Sequence, residues 1–235
     1  MIELTRVEKR YERGASAFYT DQLTLGPGEI IGVLGDNGSG KTSLLKAIMG
    51  LGERSNGTVT VDGKPVQEQY ARMAYITEEG SWLPGMSPAE YAEFLAGFYP
   101  RFDLEYYERL LKFFQLEPDR RIRSLSKGQR AKLDLAAGFA KQADYLIMDE
   151  PFFGMDRPTR TGFLSLMAAE LTGEETLLVA THFVEDFANL FDRVLLLNGG
   201  RIRVDASVDA LRQQGRTVEE LMAEVSLGKW NKTFI

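Results

Sequence analysis

Residues 30–49 read Ile30-Ile31-Gly32-Val33-Leu34-Gly35-Asp36-Asn37-Gly38-Ser39-Gly40-Lys41-Thr42-Ser43-Leu44-Leu45-Lys46-Ala47-Ile48-Met49, and they decide the fold. The apolar run Ile30 to Leu34 follows the turn Gly26-Pro27-Gly28 and predicts a buried strand. From Lys41 the apolar residues Leu44, Leu45, Ile48 and Met49 recur at helical spacing, and Gly50 with Gly52 ends the pattern. Between strand and helix, three glycines free backbone N–H groups to converge on an anion, and the helix N-terminus adds partial positive charge. Lys41 has the reach for outer phosphates, and the Thr42 hydroxyl suits a magnesium ion. Gly35, Asn37, Gly38, Ser39, Gly40, Lys41, Thr42 and Ser43 are therefore the candidate nucleotide contacts.

The rest of the chain narrows the possibilities. Its 235 residues can bury a large core, as one domain with or without an inserted subdomain. A net charge of -6 argues against a nucleic-acid binder working through bulk electrostatics. With no cysteine there is no disulfide, thiolate zinc site or cysteine nucleophile. The N-terminus lacks the apolar core of an export signal, and no charge-free stretch approaches the ~18 residues that cross a bilayer. The expectation is a soluble chain, whose membrane spans, if its process needs them, belong to another polypeptide.

Further strands are predicted at Ile2 to Val7, Ala17 to Leu25, Thr58 to Val61, Met73 to Thr77, Tyr145 to Met148, Thr176 to Thr181 and Val194 to Leu197. Helices are predicted over Pro88 to Phe98, Leu104 to Gln115, Pro158 to Leu171 and Val184 to Phe191. Aromatic residues crowd the stretch from Trp82 to Phe114, which reads as an inserted helical subdomain over about residues 78–143. Most of those rings are expected to form a small core. The last thirty residues, with Val218, Leu221, Met222 and Val225 in register, read as a helical appendage. Alternating strands and helices imply a mostly parallel sheet covered on both faces.

Three further constellations carry chemistry. The strand Tyr145 to Met148 ends in Asp149 and Glu150, and ligands in open α/β sheets sit off the carboxyl ends of strands. Asp149 suits magnesium, and Glu150 suits polarising an attacking water. His182, the only histidine, follows another strand end and could donate a hydrogen bond to a phosphate or to that water. Ser124-Leu125-Ser126-Lys127-Gly128-Gln129-Arg130 reads as a helix start capped by Ser126, which leaves N–H groups for an anion.

Taken in order, these residues resemble the ATP-binding cassette family over about residues 1–205. The resemblance implies an α/β fold of the P-loop NTPase type, with a mostly parallel core sheet, an N-terminal antiparallel β subdomain and an inserted α-helical subdomain. Residues 206–235 fall outside it. It also implies that Tyr11 stacks on adenine, Glu150 is the catalytic base, Asp156 is an inter-subunit aspartate and His182 a switch histidine. Two cassettes would sandwich ATP and Mg2+, so that Ser126, Gly128 and Gln129 serve nucleotide held by the Lys41 of a second copy or a related subunit. The implied partner is a membrane-spanning permease that keeps the chain on the inner face of the cell membrane, with no nucleic acid involved.

The sequence departs from the family pattern in three places. Lys127 replaces a glycine of the signature, Glu78 stands where a glutamine usually links magnesium to the helical subdomain, and Phe152-Phe153 replaces a small polar pair to which the sequence assigns no role. With Phe98-Tyr99-Pro100-Arg101-Phe102-Asp103, these departures resemble bacterial single-cassette exporters of drugs and antibiotic peptides. Trp82, Leu83 and Met86, among prolines and glycines, suit a groove for a permease helix. The rival readings are a cassette acting in assembly, division or translation, and an ATP-gated scaffold that barely hydrolyses.

Overall fold

The computed structural model describes residues 1–11, 16–52, 55–77, 80–187 and 189–229. In chain order the elements are β1 (Ile2–Arg10), β2 (Ser16–Leu25), β3 (Ile30–Leu34), α1 (Lys41–Ile48), β4 (Ser55–Val61), β5 (Lys64–Pro65) and β6 (Met73–Ile76). Then come α2 (Pro88–Ala96), α3 (Leu104–Phe113), α4 (Lys127–Ala140), β7 (Tyr145–Asp149) and α5 (Arg157–Glu170). The chain continues through β8 (Thr176–Ala180), α6 (Val184–Phe187), β9 (Arg193–Asn198), β10 (Arg201–Ser207), α7 (Val208–Gln213) and α8 (Val218–Ser226). They form two compact units, residues 1–69 with 176–235, and residues 70–175.

In the first unit the strand order is β5-β4-β1-β2-β10-β9-β3-β8. β1 pairs antiparallel with both β2 and β4, which makes the N-terminal antiparallel layer. β3 is parallel to both β8 and β9. A strand with parallel neighbours on each side loses both faces to the core, and Ile31, Val33 and Leu34 are fully buried. α1 buries Leu44, Leu45 and Ile48, the stripe its spacing predicts. The buried Lys9 donates from Nζ to the carbonyl of Leu51, just past the end of α1, where a cation complements the helix dipole. Arg193 grips Asp205 through two 2.6 Å bonds and ties β9 to β10.

Two sequence expectations need correction here. β10 was not expected; it folds back antiparallel on β9 after Asn198-Gly199-Gly200. The expected helix from Val184 to Phe191 is only α6, Val184–Phe187. Beyond it the amides of Leu190 and Phe191 both donate to the Phe187 carbonyl, and the Phe191 ring stacks on Phe187 at 5.4 Å. That ring lies where a Cβ on Gly32 would come within 2.8 Å of it, so packing against β3 turns the chain out of the helix.

In the second unit β6 and β7 form a parallel pair, and the helices supply the rest. Ser87, Asp103, Ser126 and Asp156 cap the N-termini of α2, α3, α4 and α5 through their side chains. The aromatic stretch from Trp82 to Phe114 is core only in part: Tyr91, Tyr106, Tyr107 and Phe114 are buried, whereas Phe94, Phe98 and Phe113 are exposed. Phe163 is fully buried, with the rings of Phe139, Phe114 and Phe152 centred 5.1, 5.3 and 6.0 Å away. Phe152 thereby acquires a packing role that the sequence did not assign.

Candidate functional site

The phosphate-loop candidates lie in the first unit, between the end of β3 and the first turn of α1. Gly35 has φ +143°, and a Cβ there would come within 2.3 Å of the Leu197 carbonyl oxygen, so only glycine fits. The loop closes through a 3.0 Å bond from the Ser39 amide to the Asp36 carbonyl. Lys41 is buried and its Nζ donates to the carbonyls of Gly35 at 2.8 Å and Asp36 at 3.3 Å, so the ammonium lies along the inside of the loop.

Two observations test whether this loop suits a phosphate. The Ser39 hydroxyl is buried with no hydrogen-bond partner. The N-terminus of α1 has no side-chain cap, unlike α2 to α5, and no acid in its first turn. An orphaned donor beside uncapped helix N–H groups is what an anion would satisfy. Thr42 is exposed, whereas Ser43 is buried and meets the Tyr11 hydroxyl at 3.3 Å. Tyr11 is about half exposed.

His182 shares this edge of the sheet. Val33 pairs with Ala180 in the parallel ladder, so two residues on, Gly35 and His182 leave their strands at the same level. His182 is exposed, and its ring lies 3.9 Å from that of Phe183.

The second unit holds the carboxylates and the signature segment. Asp149, the last residue of β7, is buried. Glu150 follows with φ +48°, a left-handed conformation that turns the chain sharply off the strand. The turn continues through bonds from the Phe153 amide to the Glu150 carbonyl and from Met155 to Phe152, both 3.1 Å. Asp156 ends it by capping α5, and the Thr159 N–H and hydroxyl hold its carboxyl below the usual range. β6 and β7 pair in register at Ile76 and Met148, so the chain leaves β6 on the side where Asp149 emerges. Glu78 lies outside the described residues. Ser126 and Gln129 form a reciprocal capping box, with bonds of 3.2 and 2.9 Å, and Gly128 lies in the first turn of α4.

Sequence reading singled out Glu150, Lys127, Phe153 and Trp82 separately without placing them around one cavity, and it missed Asp134. A cavity of about 450 Å³ is lined by Glu150, Phe153, Lys127, Arg130, Asp134 and Trp82 among others. The Arg130 guanidinium lies 4.6 Å from the centre of the Trp82 ring, and the Lys127 ammonium 3.9 Å from that of Phe153. Asp134 is buried and accepts a 3.4 Å bond from the Ser81 amide. Burial pushes its carboxyl up to about 7, against weaker opposing effects of that bond and of Lys141. Burial also brings the Lys141 ammonium down to about 8, although Asp134 opposes the change.

A glycine-lined anion cradle between a parallel strand and an uncapped helix defines a nucleotide-binding protein of the P-loop NTPase class. A family model described as ABC transporter matches residues 19–153. The taurine import ATP-binding protein TauB of Pseudomonas putida is 35% identical over 213 residues, covering 86% of this chain and 80% of the relative. The Nod factor export ATP-binding protein I of Cupriavidus metallidurans is 30% identical over 210 residues, covering 86% and 69%. A solved structure described as the ATP binding subunit of an ABC transporter superposes with a TM-score of 0.84 at 24% identity, covering 96% of this chain and 99% of that one. The chain belongs to the ABC transporter family.

Proposed function

We propose that this chain is the ATP-binding and ATP-hydrolysing subunit that powers a membrane transporter, acting as one of two cassettes that close on ATP. The observation that carries this reading is the loop from Gly35 to Thr42, with its orphaned Ser39 hydroxyl and its inward Lys41 ammonium. Lys41 would exchange its two carbonyl partners for phosphate oxygens, and the N–H groups of Gly38, Gly40 and Ser43 would complete the cradle with Asn37. Magnesium, when bound, neutralises phosphate charge, and Thr42 and Asp149 are the residues we assign to it, with Glu78 by resemblance.

Glu150 accepts the proton of the attacking water, and His182 donates a hydrogen bond where charge develops on the phosphate. Tyr11 stacks on the base. Ser126, Gly128, Gln129 and Asp156 face the nucleotide of the second cassette. We take residues 1–205 as the nucleotide-binding domain, with a helical subdomain at about 78–143, and 206–235 as the appendage.

No helix among the described residues is long and apolar enough to cross a membrane. We assign the spans to a permease that holds the chain on the inner face of the cell membrane. Relatives of comparable similarity are named for import and for export. We propose export, on the resemblance of the Phe98 to Asp103 stretch to drug and antibiotic-peptide exporters.

The test is ATP turnover by wild type and Glu150→Gln, with equilibrium ATP binding measured alongside. The expected result is binding by both and hydrolysis by wild type alone. Binding without hydrolysis by wild type would favour the scaffold reading, and turnover that survives Glu150→Gln would remove Glu150 as the base. Uptake or efflux in vesicles carrying the reconstituted transporter decides direction.

A further inference from the structure

Lys127 and Phe153 both depart from the family pattern, and the structure brings them together. Lys127 is the first residue of α4, where the helix dipole is positive and a second positive charge is repelled. Its ammonium lies over the ring of Phe153, whose face carries the negative part of the aromatic quadrupole. A second contact sits beside the first. The backbones of Gly128 and Gly154 approach so closely that a Cβ on Gly128 would come within 2.6 Å of the Gly154 carbonyl oxygen. The first turn of α4 therefore touches the segment 150–156 twice, through side chains and through backbone.

That segment is itself braced by its two 3.1 Å turn bonds, by the Asp156 cap and by the bond from Arg160 to the Met155 carbonyl. We propose that Lys127 and Phe153 form a latch that makes the segment bearing Glu150 and the helix start bearing Ser126 and Gly128 move as one piece. The latch rests on the function proposed above, in which Glu150 serves this chain's nucleotide while Ser126 and Gly128 serve the second cassette's. It gives one chain a direct mechanical link between the two sites. It also explains how a bulky lysine is accommodated in the signature: the ring stows it clear of the helix end that an anion must reach. Lys127 and Phe153 are positioning residues in this account.

The experiment uses the full chain and five variants: Lys127→Gln, Phe153→Leu, the double variant, Lys127→Arg and Phe153→Tyr. A cation over an exposed ring contributes enough for an effect of about two- to five-fold. Lys127→Gln and Phe153→Leu should each lower ATP turnover by that factor, and the double variant should fall no further than the worse single one. Lys127→Arg and Phe153→Tyr keep cation and ring and should keep turnover. ATP affinity of the nucleotide-free chain, set at the Lys41 loop, should not move in any variant, whereas general destabilisation would lower it.

Amide hydrogen exchange supplies a readout independent of catalysis: Phe153→Leu should accelerate exchange across residues 127–130 as well as 151–155. Multiplying effects in the double variant, or wild-type turnover in Phe153→Leu, would overturn the latch. So would acceleration confined to 151–155. A wild type that binds ATP without turnover would instead refute the hydrolytic function, and exchange alone would then decide the latch.

Discussion

Asp134→Asn should make the protein more stable, and by an amount that depends on pH. The carboxyl has an ordinary value of 3.8 and is pushed up to about 7 by burial in α4. A raised carboxyl means that the folded chain holds a proton between those values while the unfolded chain does not, so stability falls as pH rises from about 4 to about 7. At about 1.36 kcal/mol per pH unit the ionised form costs the folded state roughly 4 kcal/mol at and above pH 7. Asparagine never ionises, and its side-chain oxygen can keep the bond from the Ser81 amide. It also removes the attraction felt by Lys141, which returns part of the gain. The net advantage of the variant should grow by roughly 2–3 kcal/mol between pH 5 and pH 7 and then level off.

Urea unfolding followed by Trp82 fluorescence reads this directly. Trp82 lies in the same unit as Asp134, and Trp230 replaced by phenylalanine in both proteins leaves one emitter. Lys141, lowered from 10.5 to about 8, has the opposite sign: its cost is present below pH 8 and fades as pH rises towards 10.5. It is the same in form for both proteins over the window from pH 5 to 7. An advantage independent of pH, or a loss of stability at pH 7, would refute the reasoning.

Phe163→Ala empties the centre of a ring cluster and should cost about 3–5 kcal/mol in the same unfolding assay. Gly35→Ala drives a methyl into the Leu197 carbonyl; it should weaken ATP binding at least tenfold, as calorimetry can measure, and cost about 1–3 kcal/mol of stability. Trp82→Ala, which removes the ring beneath the Arg130 guanidinium, should leave ATP binding intact while reducing copurification with a permease from membranes. Unchanged copurification would remove Trp82 from the docking surface.

Much of the fold was legible because its signals are local. The apolar run of β3, the glycines and the stripe of α1 lie in consecutive residues, and the Ser126 cap is written as serine with glutamine three residues on. β10 had a local signal too: Asn198-Gly199-Gly200 followed by the alternation Arg201, Ile202, Arg203, Val204, Asp205, Ala206 is a hairpin turn into a strand. The end of α6 was not legible, because the packing of Phe191 against Gly32 spans the sheet. In the candidate site, the latch joins residues 127 and 153, and a sequence names each as an oddity without pairing them. Asp134 and Lys141 were hidden for a different reason: charged residues within a helix read as a solvated face, and only packing reveals that both are buried.

Glu150, with its φ of +48°, has a thermodynamic consequence. A left-handed backbone costs a residue with a Cβ roughly 1–2 kcal/mol, a penalty that glycine escapes and asparagine partly escapes. Selection for folding alone would therefore move position 150 away from glutamate. Glu150→Gly is expected to be a better folded protein and a dead ATPase, so that heat resistance and turnover diverge at a single residue. A stability screen run without an activity screen would discard the one carboxylate on which we propose hydrolysis depends.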